Sequence, residues 1–244
     1  MPRIALISDI HGNIDALETV LSDIRAQGID EILCLGDIVG YGAAPAECLK
    51  LVRENCFTTV LGNHDEYLVK DPDNFVLSKR IRDPLILARA TVSPGDLDWL
   101  SRRPLFAERH GFTIVHSSLS DPAHFNYLLN DQEALFHFRE QKTPVCFYGH
   151  THRPEVILCT GREIRWGLLH EGNVLLDRSK PSAINVGAVG QPRDVNPKAS
   201  YGIYETEIGL FTLRRVSYNI KRAQERIKEA ALPWENASRL ELGH

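Results

Sequence analysis

A chain of 244 residues with 43% hydrophobic and 25% charged side chains has the make-up of a folded globular protein, long enough to bury its own core without disulfides. That composition excludes a disordered, fibrous or membrane-embedded chain. Twenty-eight basic residues against 32 acidic ones give a formal net charge of -4, so no global positive field draws nucleic acid or anionic lipid, and any basic site has to be local.

The first apolar run, Ile4 to Ile7, reads as a buried strand and is too short for the apolar region of a secretory signal. Asn13 to Gly28 follows as a helix: Ile14, Leu17, Leu21 and Ile24 repeat at helical spacing, Asn13 is placed to cap and Gly28 to terminate. Ile32 to Leu35 is the next strand, which makes a βαβ unit. A second helix opens at Pro45 and runs through Leu49 and Val52, and Phe57 to Leu61 is a third strand.

From residue 71 to 104 charged residues interleave with Leu77, Ile81, Leu85, Leu87 and Ala88, and Ser93-Pro94-Gly95-Asp96 starts a short helix carrying Leu97, Trp99 and Leu100. This stretch is expected to be a helical insertion, with a lid or a packing role. Strands return at Phe112 to Val115 and Val145 to Tyr148. Residues 155 to 216 read as short strands and turns of a mostly antiparallel sheet, and a last amphipathic helix spans Asn219 to Ala231, stopping before Pro233. With no repeat, low-complexity tract or linker, residues 1–244 are expected to form one domain. Five cysteines without a CxxC pair, several inside apolar runs, fit reduced thiols in a cytoplasmic protein, and no window approaches a membrane span.

The polar clusters that end the strands share one vocabulary. Asp9-Ile10-His11 follows the first, Gly36-Asp37 the second, Gly62-Asn63-His64-Asp65 the third, His116 the fourth and Gly149-His150-Thr151-His152 the fifth. Loops beyond the carboxyl ends of strands in an open α/β sheet build a common crevice, so these side chains are expected to converge. A set rich in histidine and carboxylate with no thiolate suits first-row divalent ions better than structural zinc.

In that order and complete, the motifs DxH, GDxx, GNH[DE], H and GHxH are those of the calcineurin-like metallophosphoesterases, which residues 8–152 resemble. The resemblance implies an α/β (α+β) fold, a four-layer αββα sandwich of two mixed β-sheets flanked by helices, here with a helical insertion. It also implies that Asp9, His11 and His152 hold one divalent metal ion, that Asn63, His116 and His150 hold a second, and that the Asp37 carboxylate bridges them. His64, beside Asn63, is then the catalytic residue that faces the scissile phosphate, together with Asp37. Two such ions, roughly 3.5–4 Å apart, acidify a shared water and clamp an in-line phosphoryl displacement, so attack by a metal-bridging hydroxide is expected. Mn, Fe, Zn, Ni and Co all suit these ligands, with Mn expected to support activity in vitro.

A sixth cluster, Asn185 to Asp194, is glycine-rich before an arginine and resembles the NPGSVGQPRD segment of a bacterial and archaeal branch of the family. Val186 and Ala188 depart from its Pro and Ser, while Arg193 is kept and, with Asn63, is the expected substrate contact, since a guanidinium forks onto phosphate oxygens. An ion pair with the adjacent Asp194 is the plainer use of that arginine. Protein serine/threonine phosphatases of the superfamily carry GDxVDRG; here the stretch is Gly36-Asp37-Ile38-Val39-Gly40-Tyr41-Gly42, so the group that orients His64 stays open, with Asp65 adjacent. His110, His124, His137, His170 and His244 match no ligand position, and Phe125, Tyr127 and Trp99 either line a substrate pocket or pack.

The expected activity is hydrolysis of P–O bonds in small phosphorylated molecules such as nucleotides or dinucleoside polyphosphates. A nuclease, a protein serine/threonine phosphatase and a catalytically silent scaffold of the same fold are the alternatives, and the acidic balance counts against a nucleic-acid partner.

Overall fold

The computed structural model describes residues 3–29, 31–161 and 163–244. In chain order it comprises β1 (Arg3–Ile7), α1 (Ile14–Ala26), β2 (Glu31–Cys34), α2 (Pro45–Asn55), β3 (Thr58–Thr59), α3 (Asn63–Val69), α4 (Lys79–Thr91), α5 (Pro94–Ser101), β4 (Phe106–Arg109) and β5 (Phe112–Val115). It continues with α6 (Asp131–Glu140), β6 (Val145–Tyr148), β7 (Glu155–Thr160), β8 (Glu163–Leu168), β9 (Gly172–Leu175), β10 (Ser182–Asn185), β11 (Ala199–Glu205), β12 (Leu210–Val216), α7 (Ile220–Glu229) and α8 (Trp234–Leu242).

The strands form two mixed six-stranded sheets, ordered β3-β2-β1-β11-β12-β9 and β4-β5-β6-β10-β7-β8. Within each, three neighbours run parallel: β1, β2 and β3 in the first, β5, β6 and β10 in the second. Successive side chains of a strand point to opposite faces, and β1 shows the consequence. Ile4 and Leu6 face the second sheet, where they meet Phe112, Ile114, Val145, Phe147 and Ile184. Phe112, Phe147 and Tyr204 fill that interface edge to face, with centroids 5.0–5.4 Å apart. Ala5 and Ile7 face the other way, into a core shared with Leu17, Val20, Leu21 and Ile24 of α1 and Leu49 and Val52 of α2. On the far side, Val115, Cys146, Tyr148 and Ala183 pack against Ala134 of α6. Helix, sheet, sheet, helix: the four-layer sandwich implied by the motifs is the observed architecture.

Local signals account for much of this. The Asn13 side chain accepts the Ala16 N–H at the start of α1, Pro45 opens α2, and Asn219 caps α7. The third strand is shorter than its apolar run, because Leu61 turns its N–H away from β2 to the Pro104 carbonyl while Phe57 lies exposed beneath the Arg109 guanidinium. In the 71–104 stretch, Leu85, Ala88 and Leu100 are fully buried in the same core as α1 and α2. Five elements have no counterpart in the sequence reading: α3, α6, α8, β4 and β8. All are short, and their apolar residues obey no long period.

Candidate metal centre

The parallel strands bring their carboxyl ends to one side of the sandwich. Asp9 and His11 follow β1, Asp37 follows β2, His116 follows β5, and His150 and His152 follow β6. Asn63 and His64 stand in the first turn of α3, a helix where a loop was expected. All eight side chains are buried. Asp9, His11, Asp37, His150 and His152 adopt left-handed backbone conformations, with φ between 49° and 65°. Such angles are uncommon for residues with a Cβ, and their concentration in one spot marks backbone bent to aim side chains. Hydrogen bonds hold the bends: the His150 N–H donates to the Asp9 carboxylate at 3.0 Å, and the His64 N–H to Asp37 Oδ1 at 2.9 Å.

Asp9, His11 and His152 form one cluster of converging ligand atoms and Asp37, His116 and His150 another. Asp37 Oδ2 lies between them, 3.6 Å from His11 Nε2 and 3.3 Å from His116 Nε2. Asn63 Oδ1 joins the second cluster, 3.2 Å from His116 Nε2. The tautomers follow from the backbone. His11, His116 and His152 direct Nδ1 at the carbonyls of Val39 (3.1 Å), Leu35 (2.8 Å) and Gln191 (2.5 Å), and a carbonyl only accepts, so Nδ1 carries the hydrogen and Nε2 of the neutral ring is bare. Bare Nε2 atoms of His11 and His152 then face each other at 3.1 Å, while His116 Nε2 lies 3.2 Å from His150 Nδ1, 3.2 Å from Asn63 Oδ1 and 3.3 Å from Asp37 Oδ2. Lone pair against lone pair repels unless a cation lies between. The donor set and its orphaned electron pairs therefore fit divalent metal.

Burial and neighbouring charge pull the titratable groups of the site in opposite directions. Burial pushes the Asp9 carboxyl up to about 7, with Asp37 adding to the rise. Burial also opposes charge on Asp37, but the imidazoles of His116, His64 and His11 outweigh it and hold its carboxyl well below the usual range. Against its own burial, His116 is pushed up to about 9 by that Asp37 charge and its hydrogen bond. Burial lowers His150 to about 3 and keeps His11 and His152 well below the ordinary imidazole value, so they favour the neutral, ligating form.

His64 stands beside this centre. Its ring lies 4.8 Å from that of His11 and 4.7 Å from that of Tyr41, its Nδ1 is buried with no partner, and burial lowers it to about 4. Asp65 does not orient it. Asp65 Oδ1 accepts the N–H groups of Ile38 and Val39 and Oδ2 that of Gly62, so this side chain pins the loop after β2. The ring is held instead by packing against Tyr41, Tyr67 and His11, and over Gly40, whose φ of +95° and close approach leave room for no side chain.

Arg193 reaches the same place. Asp194 pairs with Arg215, which leaves Arg193 Nη2 to bond Gln191 Oε1 at 2.9 Å and the Tyr41 hydroxyl at 3.4 Å, its guanidinium 5.6 Å from the Tyr41 ring centroid. Tyr127 stacks on His150 at 3.9 Å and Phe125 meets His116 edge-on at 6.0 Å, so these two border the centre, whereas Trp99 packs on the core under Arg103. His110 and His124 pair with Glu31 and Asp121, and His137 is buried against the Leu119 N–H, all away from the ligand clusters. Sequence reading missed Tyr41; its one signal is an aromatic between the glycines that replace the phosphatase DRG.

The family model of calcineurin-like phosphoesterases matches residues 2–154. The chain belongs to that family. As a calcineurin-like phosphoesterase it is a metal-dependent hydrolase of phosphoric esters. It is 39% identical over 246 residues to the uncharacterized protein MJ0912 of Methanocaldococcus jannaschii, covering 98% of each chain. The crystal structure of a metallophosphoesterase from Sphaerobacter thermophilus superposes with a TM-score of 0.89 at 37% identity, over 100% of this chain and 99% of that one. A symmetrical bis(5'-nucleosyl)-tetraphosphatase of Actinobacillus pleuropneumoniae is 31% identical over 123 residues, 47% of this chain and 44% of that protein. Among the described residues no helix is long and apolar enough to cross a membrane.

Proposed function

We propose that this phosphoesterase works with two divalent ions on small phosphorylated molecules, nucleotides and dinucleoside polyphosphates among them. The observation that carries the reading is the facing of bare His11 Nε2 and His152 Nε2 on one side of Asp37 Oδ2 and the convergence of His116 Nε2 and His150 Nδ1 on the other. Asp9, His11 and His152 would hold one ion, Asn63, His116 and His150 the other, with Asp37 shared. Such a pair, when bound, supplies Lewis acidity toward phosphoryl oxygens and acidifies water. Mn suits the oxygen and imidazole donors and is our choice for reconstitution.

The chain's own groups do the rest. Arg193 forks onto phosphate oxygens, and the Asn63 amide nitrogen, opposite the Oδ1 that faces His116, donates to another. His64, neutral at pH 7 by virtue of its burial, presents a ring N–H to the leaving oxygen, and the negative charge of an arriving phosphate raises its basicity toward proton transfer. Partial similarity to proteins named for tetraphosphate hydrolysis supports nucleotide-type substrates, and five free cysteines, four of them buried, support a cytoplasmic setting.

The test is elemental analysis of purified protein together with turnover, Mn added, of aryl mono- and diesters, nucleotides, dinucleoside polyphosphates, oligonucleotides and phosphoseryl peptides. About two ions per chain and turnover confined to the small substrates is the expected result; protein without bound metal, or cleavage of oligonucleotides or peptides alone, refutes the reading. His64→Ala should lower turnover by a factor of about 10²–10⁴ with the metal content held near two ions.

A further inference from the structure

Tyr41 lies in the loop after β2, between Gly40 and Gly42, and is buried although it stands outside both ligand clusters. Its backbone is left-handed, with φ 50°, which is uncommon for a residue with a bulky side chain. Hydrogen bonds on both sides hold that turn. The N–H of Gly42 donates to the His11 carbonyl at 2.9 Å, and the Tyr41 carbonyl accepts from the buried Asn236 amide of α8 at 3.1 Å. Asn236 also donates to the Arg80 carbonyl at 2.9 Å, so α8 and α4 together brace the turn. An unfavourable backbone angle kept in place by contacts from distant parts of the chain is expected where a side chain has to be aimed.

The side chain meets the two groups that face the substrate. Its ring packs on the His64 imidazole with centroids 4.7 Å apart, and meets that of His11 edge-on at the same distance. The Arg193 guanidinium lies 5.6 Å from the ring centroid, and Arg193 Nη2 donates to the Tyr41 hydroxyl at 3.4 Å and to Gln191 Oε1 at 2.9 Å. Two acceptors on one nitrogen fix the plane of the guanidinium, and a planar fork has to be so fixed to take two oxygens of one phosphate. His64 has no such restraint. Its Nδ1 is buried with no partner, so packing alone decides where the ring points.

We propose that Tyr41 is a positioning residue for phosphoester hydrolysis, its ring holding the His64 imidazole toward the leaving oxygen and its hydroxyl fixing the plane in which Arg193 meets the phosphate. The inference rests on the roles given to those two residues in the phosphoesterase reading and adds the group through which both are set. The two halves differ in kinetic signature. Arg193 grips the phosphate before and during bond breaking, so loosening it weakens ground state and transition state alike and raises KM. His64 acts only as the leaving oxygen gains charge, so releasing its ring lowers kcat.

The experiment measures kcat and KM for phenyl phosphate, whose phenolate leaves poorly without a proton, in the Mn-loaded wild-type enzyme and in Y41F, Y41L and F112L. Y41F keeps the ring and loses the hydroxyl, so KM should rise about three- to tenfold with kcat within about twofold of wild type. Y41L loses both, and its kcat should also fall about 10²-fold. F112L, a change to a core aromatic between the two sheets, is the control for destabilisation and should lower Tm with both constants kept per folded molecule. A readout independent of turnover is the proton–nitrogen spectrum of the histidine rings in the full-length protein loaded with diamagnetic Zn, with His64 assigned by its absence in H64A. Its signals should stay close to wild type in Y41F and be displaced or broadened in Y41L. Y41M takes the place of Y41L if that variant shows no cooperative thermal transition. Wild-type kcat or unchanged His64 signals in Y41L, or wild-type KM in Y41F, overturns the assignment, and so does a loss of kcat in Y41F as large as that in Y41L. Failure of the wild-type enzyme to hydrolyse the ester would sink the phosphoesterase reading instead, and the His64 signals of Y41F and Y41L would then decide by themselves whether Tyr41 holds that ring.

Discussion

Gly40→Ala tests how His64 is held. A Cβ at position 40 would sit 2.3 Å from His64 Nδ1 and 3.0 Å from its Cγ, and the ring has little room to withdraw because Tyr41 and His11 pack against it with centroids 4.7 and 4.8 Å away. Two costs add. The left-handed backbone, φ +95°, costs a residue with a Cβ about 1–2 kcal/mol, and forcing a packed ring aside costs about 1–3 kcal/mol more. Gly28→Ala separates them: φ there is +67° with nothing within 4 Å of the added atom, so only the backbone cost applies. At about 2–4 °C per kcal/mol for a chain of this size, scanning calorimetry should find a clearly larger drop in Tm for Gly40→Ala than for Gly28→Ala. Turnover is the sharper readout. Displacing a group at the reacting atoms by about 1 Å costs about 10²-fold, so Gly40→Ala should lose about that factor in kcat with its metal content intact, while Gly28→Ala keeps wild-type turnover. If Gly40→Ala hydrolyses an aryl phosphate at the wild-type rate, the place given to His64 beside the reacting phosphate is wrong.

Asp65→Ala removes the acceptor for the Ile38, Val39 and Gly62 N–H groups and should cost at least about 2 kcal/mol, read as a lower denaturant midpoint at unchanged slope; a variant as stable as wild type would mean that the loop after β2 does not depend on this carboxylate. His137 supplies a pH test. Burial lowers it to about 4 from an ordinary 6.5, so the unfolded chain binds the proton first, and the stability this neutral ring contributes is complete above pH 6.5 and lost as pH falls toward 4. The loss is up to about 3 kcal/mol at 1.36 kcal/mol per unit. His137→Asn, which keeps an acceptor for the Leu119 N–H without titrating, should flatten the acid limb of the stability curve by that amount, and parallel curves for the two proteins would exclude His137 as a source of acid lability.

How far the sequence displays this molecule depends on whether an interaction is local. Strands and their polar ends are local: Ile4–Ile7 running into Asp9 and His11 states both where the chain is buried and where it stops, and the same grammar repeats at Asp37, Asn63, His116 and His150. Seven candidate ligands were therefore legible, and the structure brings their ligating atoms together. The means of aiming them were less so, because a left-handed φ at Asp9 or His152 leaves no compositional trace when the residue has a Cβ. Asp65 shows the next difficulty. Adjacent to His64 in sequence, it turns back to the amides of residues 38 and 39, because helix α3 starts at Asn63 and sends neighbouring side chains in different directions.

Tyr41, Arg80 and Arg239 lie at the far end of this scale. Arg80 and Arg239 are 159 positions apart, and each sits in a helix whose visible pattern serves burial: Leu85 and Ala88 in α4, Ala237 and Leu240 in α8. What joins α8 to Tyr41 and to α4 is Asn236, a buried amide that satisfies its donors on the Tyr41 and Arg80 carbonyls. The motifs thus encode the polar ends of the strands, whereas contacts such as those of Asn236 are set by tertiary hydrogen bonds that no periodicity announces.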